Sequence, residues 1–245
     1  MDLDVIALQE VEDIGTLKRF VIDNLGSLYP HAVLVQGNDP RLIDVAVLSK
    51  LPLGAVTSWQ RAVHPLDPTE AVFGRDLLQV EILNPSRSRR LFTLFNTHLR
   101  SHFLSPGETA ADADGRRQRQ AELAAKIIEA QTRPNSSYVV VCDMNDPPSS
   151  QFLAPLVASP ALRLVNGLAN PAETRSAPAD TPPPPAVAWT HRFKPSGQPA
   201  EYELFDQVWL SPTLAPRQTG SFIDRRTRRT GDGSDHDPAW VVLDL

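Results

Sequence analysis

Short apolar runs separated by turn residues recur along the whole chain, and this pattern restricts its fold more than any other feature. Runs of this length, rich in Val, Ile, Leu and Phe, are typical of β-strands. They lie at Val5–Leu8, Ile43–Leu48, Leu77–Leu83, Leu91–Phe95, Tyr138–Val141, Val208–Leu210 and Ala239–Leu243. The sequence therefore predicts a protein in which strands outnumber helices.

Three segments are predicted as helices instead. In Arg116–Gln131, apolar residues at positions 121, 124, 125 and 128 have the i, i+3, i+4, i+7 spacing of one buried helix face. Two shorter helices are predicted at Glu12–Leu25 and Ser150–Val157. Because helices and strands do not alternate one for one, a doubly wound parallel sheet fits poorly. We expect an α/β sandwich of two packed mixed sheets.

The chain is predicted to form one domain over residues 1–245, without an internal repeat or a clear boundary. Proline accounts for 23 of the 245 residues, and much of it falls in residues 170–199, which include the run Pro182–Pro185. This segment is too poor in large apolar residues to order itself fully, so we expect a long surface excursion there. A second polar excursion is expected at Ser101–Gly115.

Charge and cysteine content exclude several classes of protein. The formal net charge is −5, so bulk electrostatics will not draw the chain to nucleic acid or to an anionic membrane. Cys142 is the single cysteine, so we expect no disulfide, no disulfide-linked partner and no thiolate zinc site. No apolar run approaches the roughly 18 residues of a membrane span, and no signal peptide is recognisable. Localisation stays open, with the cytoplasm as the default expectation.

Five polar clusters lie at or just beyond the ends of predicted strands, where functional groups collect on α/β scaffolds. In chain order they read LQEVE from Leu8, NTHL from Asn96, CDMND from Cys142, FDQVWLS from Phe205 and SDHDPAW from Ser234. A carboxylate at a strand end can bind a hard cation, and a histidine held by an acid can assist proton transfer. Each cluster alone also fits an ordinary turn or strand end, so their order along the chain carries the information.

Together, the five motifs resemble the endonuclease/exonuclease/phosphatase superfamily, which has the deoxyribonuclease-I-like fold. The resemblance spans essentially the whole chain, and its most specific parts are Ser234–Pro238 and Asp143–Asn145. It implies a four-layer α/β/β/α sandwich, a divalent cation, Mg²⁺ or Mn²⁺, and attack of water on a phosphoester phosphorus. Oxygen ligands without cysteine favour the same two cations over zinc.

The resemblance also implies roles for the first and last motifs. Glu10 matches the principal metal ligand of the superfamily, and Asp235 matches a second acid near the metal. His236 matches the histidine that activates or positions the nucleophile, with Asp206 as the acid that orients it.

The central motifs are assigned in the same way. Asp143 and Asn145 match the pair that orients the nucleophile and binds the scissile phosphate. His98 matches a second histidine that stabilises the phosphate or assists the leaving oxygen. Two looser matches are Asp44, as the acid partner of that histidine, and Arg75, as a phosphate-binding arginine.

The start of the chain departs from the superfamily pattern. Members normally open with a strand that carries an asparagine near the metal, upstream of the LQEV-type motif, whereas this sequence starts at Met1, shortly before Glu10. That strand is therefore expected to be missing. We expect an open sheet edge near Val5–Leu8, or another chain's segment docked on it.

The substrate is not determined by the motifs, since the superfamily cuts many phosphoesters. Arginine clusters occur at Arg87–Arg90, Arg116–Arg119 and Arg225–Arg229, and the last of these is near Asp235 in sequence. Such a cluster at the rim of a site would contact a phosphate backbone, although a solvated loop explains it equally well. Among the possible substrates, the arginine clusters favour nucleic acid, so we expect a nuclease of low sequence specificity that acts on DNA.

Two other functions are compatible with the same residues. One is a phosphatase or phosphodiesterase that acts on a small-molecule or lipid phosphoester. The other is a binding module that keeps the fold without the chemistry, which the retention of all the costly polar groups argues against.

Overall fold

The computed structural model describes residues 2–174, 187–225 and 234–245. Its strands are β1 (Val5–Val11), β2 (His31–Leu34), β3 (Asp44–Ser49), β4 (Leu53–Ser58), β5 (Val63–His64), β6 (Asp67–Ala71), β7 (Leu77–Leu83), β8 (Arg90–His98), β9 (Tyr138–Asp143), β10 (Val165–Asn166), β11 (Ala172–Thr174), β12 (His191–Phe193), β13 (Glu201–Glu203), β14 (Asp206–Leu210), β15 (Gln218–Asp224) and β16 (Ala239–Leu243). Its helices are α1 (Ile14–Phe20), which continues as a π-helical turn over Val21–Leu25, α2 (Ala110–Gln131), α3 (Ala154–Val157) and a 3₁₀ turn over Ala215–Arg217.

The largest sheet has six strands in the order β10-β14-β9-β8-β7-β4. Its neighbouring strands are antiparallel except for the parallel pair β8 and β9. Two three-stranded sheets, β1-β3-β2 and β11-β15-β16, contribute strands to the layer opposite, and the pairs β12-β13 and β5-β6 form small hairpins. Both parallel and antiparallel pairs are present, as the sequence predicts for mixed sheets.

Three apolar clusters hold these layers together. The cluster between the sheets joins side chains such as Val45 of β3, Leu94 of β8 and Ile223 of β15. A second cluster packs α2 and α3 on the outer face of the six-stranded sheet, and a third packs α1 on β3. The order of layers is helix, sheet, sheet, helix, so the predicted four-layer α/β/β/α sandwich is confirmed.

The predicted apolar strands are all present, but several continue into the polar motifs. The runs at Leu77–Leu83 and Ala239–Leu243 have the predicted bounds. Strand β8 continues to His98, β9 continues to Asp143, and β14 begins already at Asp206. Strands pair through backbone hydrogen bonds, which do not depend on side-chain polarity. These polar residues therefore lie within paired strands rather than beyond their ends.

Two helix predictions need correction. Helix α2 begins at Ala110, six residues earlier than predicted, because Thr109 and Asp112 form a capping box in which each side chain bonds the other's backbone N–H. The polar excursion expected at Ser101–Gly115 is shortened accordingly. Helix α3 covers only Ala154–Val157, the last part of the predicted span. Of the helices in the described residues, none is both long and apolar enough to cross a membrane.

The excursion expected at residues 170–199 is partly wrong. It contributes β11 and β12, and the Trp189 ring is only 2% exposed. That ring packs edge to face on Tyr202, with ring centroids 4.7 Å apart. The run Pro182–Pro185 lies outside the described residues. Anchoring by a single large aromatic ring leaves little trace in a composition dominated by Pro, Ala and Thr.

Among the residues that the structure describes, strands β1 and β16 each have an open edge. Within the described residues, β1 pairs with β3 alone and β16 pairs with β15 alone. Both strands line one cavity, whose apolar wall includes Phe92, Leu94 and Val141 of the opposite sheet. The open edge expected near Val5–Leu8 is therefore present, while docking of another chain on it stays a prediction.

A buried asparagine connects β8 to the sheet of β1 and β3. Asn96 is fully buried, and its Nδ2 donates to the backbone oxygens of Leu8 at 3.2 Å and Ala46 at 2.9 Å. Its Oδ1 accepts from Nε2 of Gln9 at 2.8 Å. A buried amide with several partners stabilises one arrangement of the two sheets, because any displacement leaves carbonyl groups unpaired.

We predict that Asn96→Ala lowers the free energy of unfolding by about 2–3 kcal/mol, because it leaves two backbone carbonyls without their donor. Urea denaturation measures the change. Asn24→Ala is the control, since its side chain makes one exposed bond to the Phe20 oxygen, and it should change stability by less than about 0.5 kcal/mol. Equal stabilities of the two variants would contradict this account of Asn96.

Candidate active site

The register of the six-stranded sheet brings three predicted site residues together. Asp143 ends β9, and it lies opposite His98 of β8 in the parallel pair and opposite Asp206 of β14 in the antiparallel pair. The Cα atoms of directly opposed residues on adjacent strands are about 4.5–5.5 Å apart. The sheet therefore places an imidazole and two carboxylates side by side, although their motifs are far apart in sequence.

His236 joins this group from the segment before β16. Its Nδ1 lies 2.6 Å from Oδ2 of Asp206, the partner that the sequence predicts. Burial alone would lower the pKa of His236, but the hydrogen bond and negative charge of Asp206, with Asp143 and Asp235 adding to it, raise the pKa to about 9. The Asp206 carboxylate thus fixes the ring orientation and leaves Nε2 as the nitrogen free for chemistry.

Asp143 and His98 form the buried end of the site. Oδ2 of Asp143 lies 3.3 Å from Nε2 of His98, whose Nδ1 is buried without a hydrogen-bond partner. Burial lowers the pKa of His98 well below its usual value, so this imidazole is neutral. Burial, followed by the negative charge of Asp206, raises the pKa of Asp143 to about 7.

Asn145 and Arg75 lie next to this pair. Asn145 has a φ of 51°, a left-handed conformation that asparagine tolerates better than most residues. Its backbone N–H donates to Oδ1 of Asp143 at 2.9 Å, and its Nδ2 donates to the Leu99 oxygen at 3.1 Å. Nη1 of Arg75 donates to the same oxygen at 3.3 Å, and Nε of Arg75 lies 3.3 Å from Oδ2 of Asp39.

A β-bulge in β1 sets the position of the Glu10 side chain. Leu8 pairs with Ala46 and Val11 pairs with Asp44, so β1 has one residue more than β3 between these positions. Glu10 lies in this bulge with a φ of 58° and an exposed side chain. Bulges beside functional sites commonly redirect one side chain out of the regular alternation, and here Glu10 lines the cavity.

The role predicted for Asp44 is wrong. Oδ1 of Asp44 accepts the Gly37 N–H at 2.7 Å, and its Oδ2 is buried without a hydrogen-bond partner, so the acid beside His98 is Asp143 instead. Burial raises the pKa of Asp44. Asp44 holds the turn that leads to Asp39, and so it supports Arg75 rather than a histidine.

One cavity collects the remaining predicted residues. It is lined by Glu10, Arg75, His98, Asp143, Asn145, Asp206, Asp235 and His236. Asp44 is the only predicted site residue that does not line it. The polar motifs thus converge, as their order along the chain indicates.

An aromatic wall beside His236 was not predicted. Its rings are His191, Phe205 and His102. His191 stacks on Phe205 with centroids 4.9 Å apart, and His102 stacks on the same phenylalanine at 6.0 Å. Phe205 directly precedes Asp206, and alternation along a strand would have placed it on the opposite face. His191 lies in the segment expected to be a surface excursion, so its sequence carried no usable signal.

The role predicted for the last arginine cluster is wrong at its first residue. Arg225 is 2% exposed; it bonds both oxygens of Glu173 and Oδ2 of Asp237, and its guanidinium lies 3.5 Å from the centre of the Trp189 ring. A guanidinium so enclosed holds the fold together and does not form a phosphate-binding rim. Arg226, Arg228 and Arg229 lie outside the described residues.

Comparison with known proteins agrees with the motifs and with the fold. A model of the Endonuclease/Exonuclease/phosphatase family matches residues 1–236. The chain belongs to this family. No curated protein matches its sequence.

Solved structures in the family share the fold at low sequence identity. An AP endonuclease from Archaeoglobus fulgidus is similar with a TM-score of 0.65 and 17% identity, over 99% of this chain and 89% of that chain. Truncated Caenorhabditis elegans TDP2 has a TM-score of 0.61 and 19% identity, over 96% and 82%. The mannosyl-6-phosphatase Bt3783 of Bacteroides thetaiotaomicron has a TM-score of 0.59 and 15% identity, over 100% and 86%.

Enzymes of this family are hydrolytic phosphoesterases that generally depend on a divalent cation. The cavity fits such an ion, because it is lined by the carboxylates of Glu10, Asp143, Asp206 and Asp235. After burial, the charges of Asp206 and Glu10 are what raise the pKa of Asp143, so the group carries negative charge that a cation would neutralise. Carboxylate oxygens are the ligands that Mg²⁺ and Mn²⁺ prefer.

Asp235, one of the two predicted metal ligands, belongs to a compact group of possible ligand atoms. In the part of the chain that the structure describes, His191, Asp235 and His236 each offer a ligand atom within 4.8 Å of the others. Glu10 lines the same cavity outside this group. Metal ligation by Glu10 and Asp235 stays a prediction.

We predict that the His236 imidazole of the metal-free protein titrates near pH 9, as the raised pKa requires. Its protonated form stabilises the fold below the usual pKa of 6.5, and that contribution is lost as the pH rises through 9. NMR titration with a chelator present measures it. Asp206→Asn should shift the midpoint down and Asp244→Asn should not. A wild-type midpoint near 6.5 would contradict the assignment.

Proposed function

We propose that the protein is a divalent-metal-dependent phosphodiesterase, most specifically a nuclease of low sequence specificity that hydrolyses DNA. The observation that carries the proposal is the Asp206–His236 pair at 2.6 Å beside the buried Asp143, in a cavity that also contains Glu10 and Asp235. Such a group can hold a water, take its proton and offer carboxylates to a cation at one place.

The residues divide the work by position. Asp143 and Nε2 of His236 would orient a water molecule, and the imidazole would accept its proton as the oxygen attacks phosphorus. Neutral His98 and the amide of Asn145 would stabilise the phosphate oxygens as negative charge develops on them. A bound divalent cation would neutralise the phosphate and lower the pKa of His236 from about 9 toward neutrality.

Exposed phenylalanines at the cavity support a nucleic acid substrate. Phe103 is 79% exposed and Phe193 is 47% exposed, and both line the cavity that contains His236. Phe193 follows Arg192 and precedes Lys194. Aromatic faces interleaved with cationic residues bind the bases and backbone of unpaired nucleotides.

A phosphatase or phosphodiesterase acting on a small or lipid phosphoester is the second candidate. The observation that favours it is the burial of Arg225, which removes one cation from the rim that a DNA backbone was expected to contact. With a formal net charge of −5, the chain offers no bulk attraction to replace it.

We predict that hydrolysis of plasmid DNA and of bis(p-nitrophenyl) phosphate requires Mg²⁺ or Mn²⁺ and is abolished by EDTA, because the carboxylates of Glu10, Asp143, Asp206 and Asp235 are among those that line the cavity. Asp143→Ala and His236→Ala should each lower kcat at least about 100-fold in the metal-loaded enzyme. Initial-rate measurements with both substrates give these values.

His31→Ala, on β2 away from the cavity, is the matched control and should keep wild-type activity. The double variant should lose far less than the product of the single losses, because both residues act on one water. Full activity in excess EDTA, or fully multiplicative losses, would contradict the proposal.

We predict that Phe103→Ser combined with Phe193→Ser raises KM for single-stranded DNA at least about fivefold, since stacking on each base is worth about 1–3 kcal/mol. KM for bis(p-nitrophenyl) phosphate should not change. Leu66→Ser is the control, because Leu66 is 86% exposed and does not line the cavity. An unchanged KM for DNA would favour the small-substrate function.

A further inference from the structure

A second concavity, of about 400 Å³, lies away from the candidate active site and is rich in arginine. Four arginines line it, together with hydroxyl-bearing side chains that include Ser136 and Thr213. The arginines are Arg89, Arg90, Arg133 and Arg217, and all four are exposed. Like charges repel one another, so a bound anion would relieve the repulsion among these arginines.

The concavity lies at the opposite end of the strands that carry the active site. Arg90 begins β8 and His98 ends it, so the two residues are roughly 26 Å apart at about 3.3 Å per residue. Ser137 likewise precedes the first residue of β9, whose last residue is Asp143. A ligand held among the arginines is therefore not the phosphate that the active site cleaves.

The arginines are incompletely neutralised by the protein itself. Arg90 forms an ion pair with Glu81, and Nη1 of Arg217 donates to the Asp244 backbone oxygen at 3.3 Å. Neither Arg89 nor Arg133 forms an ion pair with any carboxylate of the described residues. Two guanidinium groups thus keep their full donor capacity for a ligand.

The floor of the concavity is held rigidly by hydrogen bonds. Oγ1 of Thr213 donates to the Ser136 backbone oxygen at 2.8 Å, and Oγ of Ser136 accepts the Arg133 N–H at 2.9 Å. The Arg89 N–H donates to Oδ1 of Asn84 at 3.0 Å, which fixes the turn between β7 and β8. The backbones that carry the free arginines are therefore ordered before any ligand arrives, which lowers the entropic cost of binding.

We propose that this arginine concavity binds a small polyphosphorylated anion. Guanidinium groups pair with phosphate oxygens through two parallel N–H bonds, so several arginines around one concavity recognise several phosphate groups at once. The limited volume and the negative net charge favour a compact anion over a nucleic acid chain. This proposal is independent of the function proposed for the catalytic cavity.

The test is isothermal titration calorimetry of the full chain with sodium tripolyphosphate, with EDTA present throughout. EDTA removes any cation that would draw anions to the catalytic cavity, and the arginine variant described below distinguishes binding at the concavity from binding elsewhere. We expect saturable binding at one site per chain, and binding of orthophosphate that is at least about tenfold weaker because it offers one phosphate group. A short oligothymidylate, compared at equal phosphate concentration, should also bind more weakly.

The decisive variant replaces the two unpaired arginines, Arg89→Ser with Arg133→Ser. It should weaken tripolyphosphate binding at least about tenfold while the melting temperature and the hydrolytic activity stay unchanged, because both side chains are exposed and distant from His98. Arg19→Ser with Arg61→Ser removes the same charge from other exposed positions and should leave binding intact. Absent binding by the wild type, equal weakening by both double variants, or tighter oligothymidylate binding that is lost in the Arg89→Ser with Arg133→Ser variant would each overturn the proposal.

Discussion

The hydrogen-bond register of β9 is the constraint on which the candidate active site depends. It sets Asp143 opposite His98 on one side and opposite Asp206 on the other. A shift of one residue in either pairing would turn a polar group toward the apolar layer beneath α2. Burial of the apolar side chains on both faces therefore stabilises the same register that brings the candidate catalytic groups together.

Bringing these charged groups together shifts their pKa values. Burial, followed by the charge of Asp206 on the adjacent strand, raises the pKa of Asp143, and the charges of Asp206 and Asp143 raise the pKa of His236. With their pKa values raised, Asp143 and His236 keep protons near neutral pH, in the place where a phosphoesterase transfers them. A cation among the carboxylates would lower both pKa values. At the opposite ends of β8 and β9 the charge has the other sign, because guanidinium groups lie there that an anion would neutralise.

Local sequence predicted the apolar strands and the chemistry of the motifs, but not the features that depend on distant partners. The start of α2 was missed because a capping box, not apolar periodicity, decides it. The order of the motifs predicts Asp44 as the partner of a histidine, whereas its carboxylate accepts the Gly37 N–H. The closeness of Arg225 to Asp235 in sequence predicts a phosphate-binding rim, yet two acids and Trp189 enclose the guanidinium.

The sequence by itself determined which residue types follow which strands, and hence the family, the four-layer sandwich and the set of acids and histidines available for phosphoester chemistry. These features are local or ordered along the chain, so a single sequence carries them. Only the tertiary structure decided which groups meet. The pairing of His236 with Asp206, the stacking of His191 on Phe205 and the gathering of four arginines in one concavity each join segments far apart in sequence. Such contacts depend on strand register and sheet packing, which no local pattern encodes.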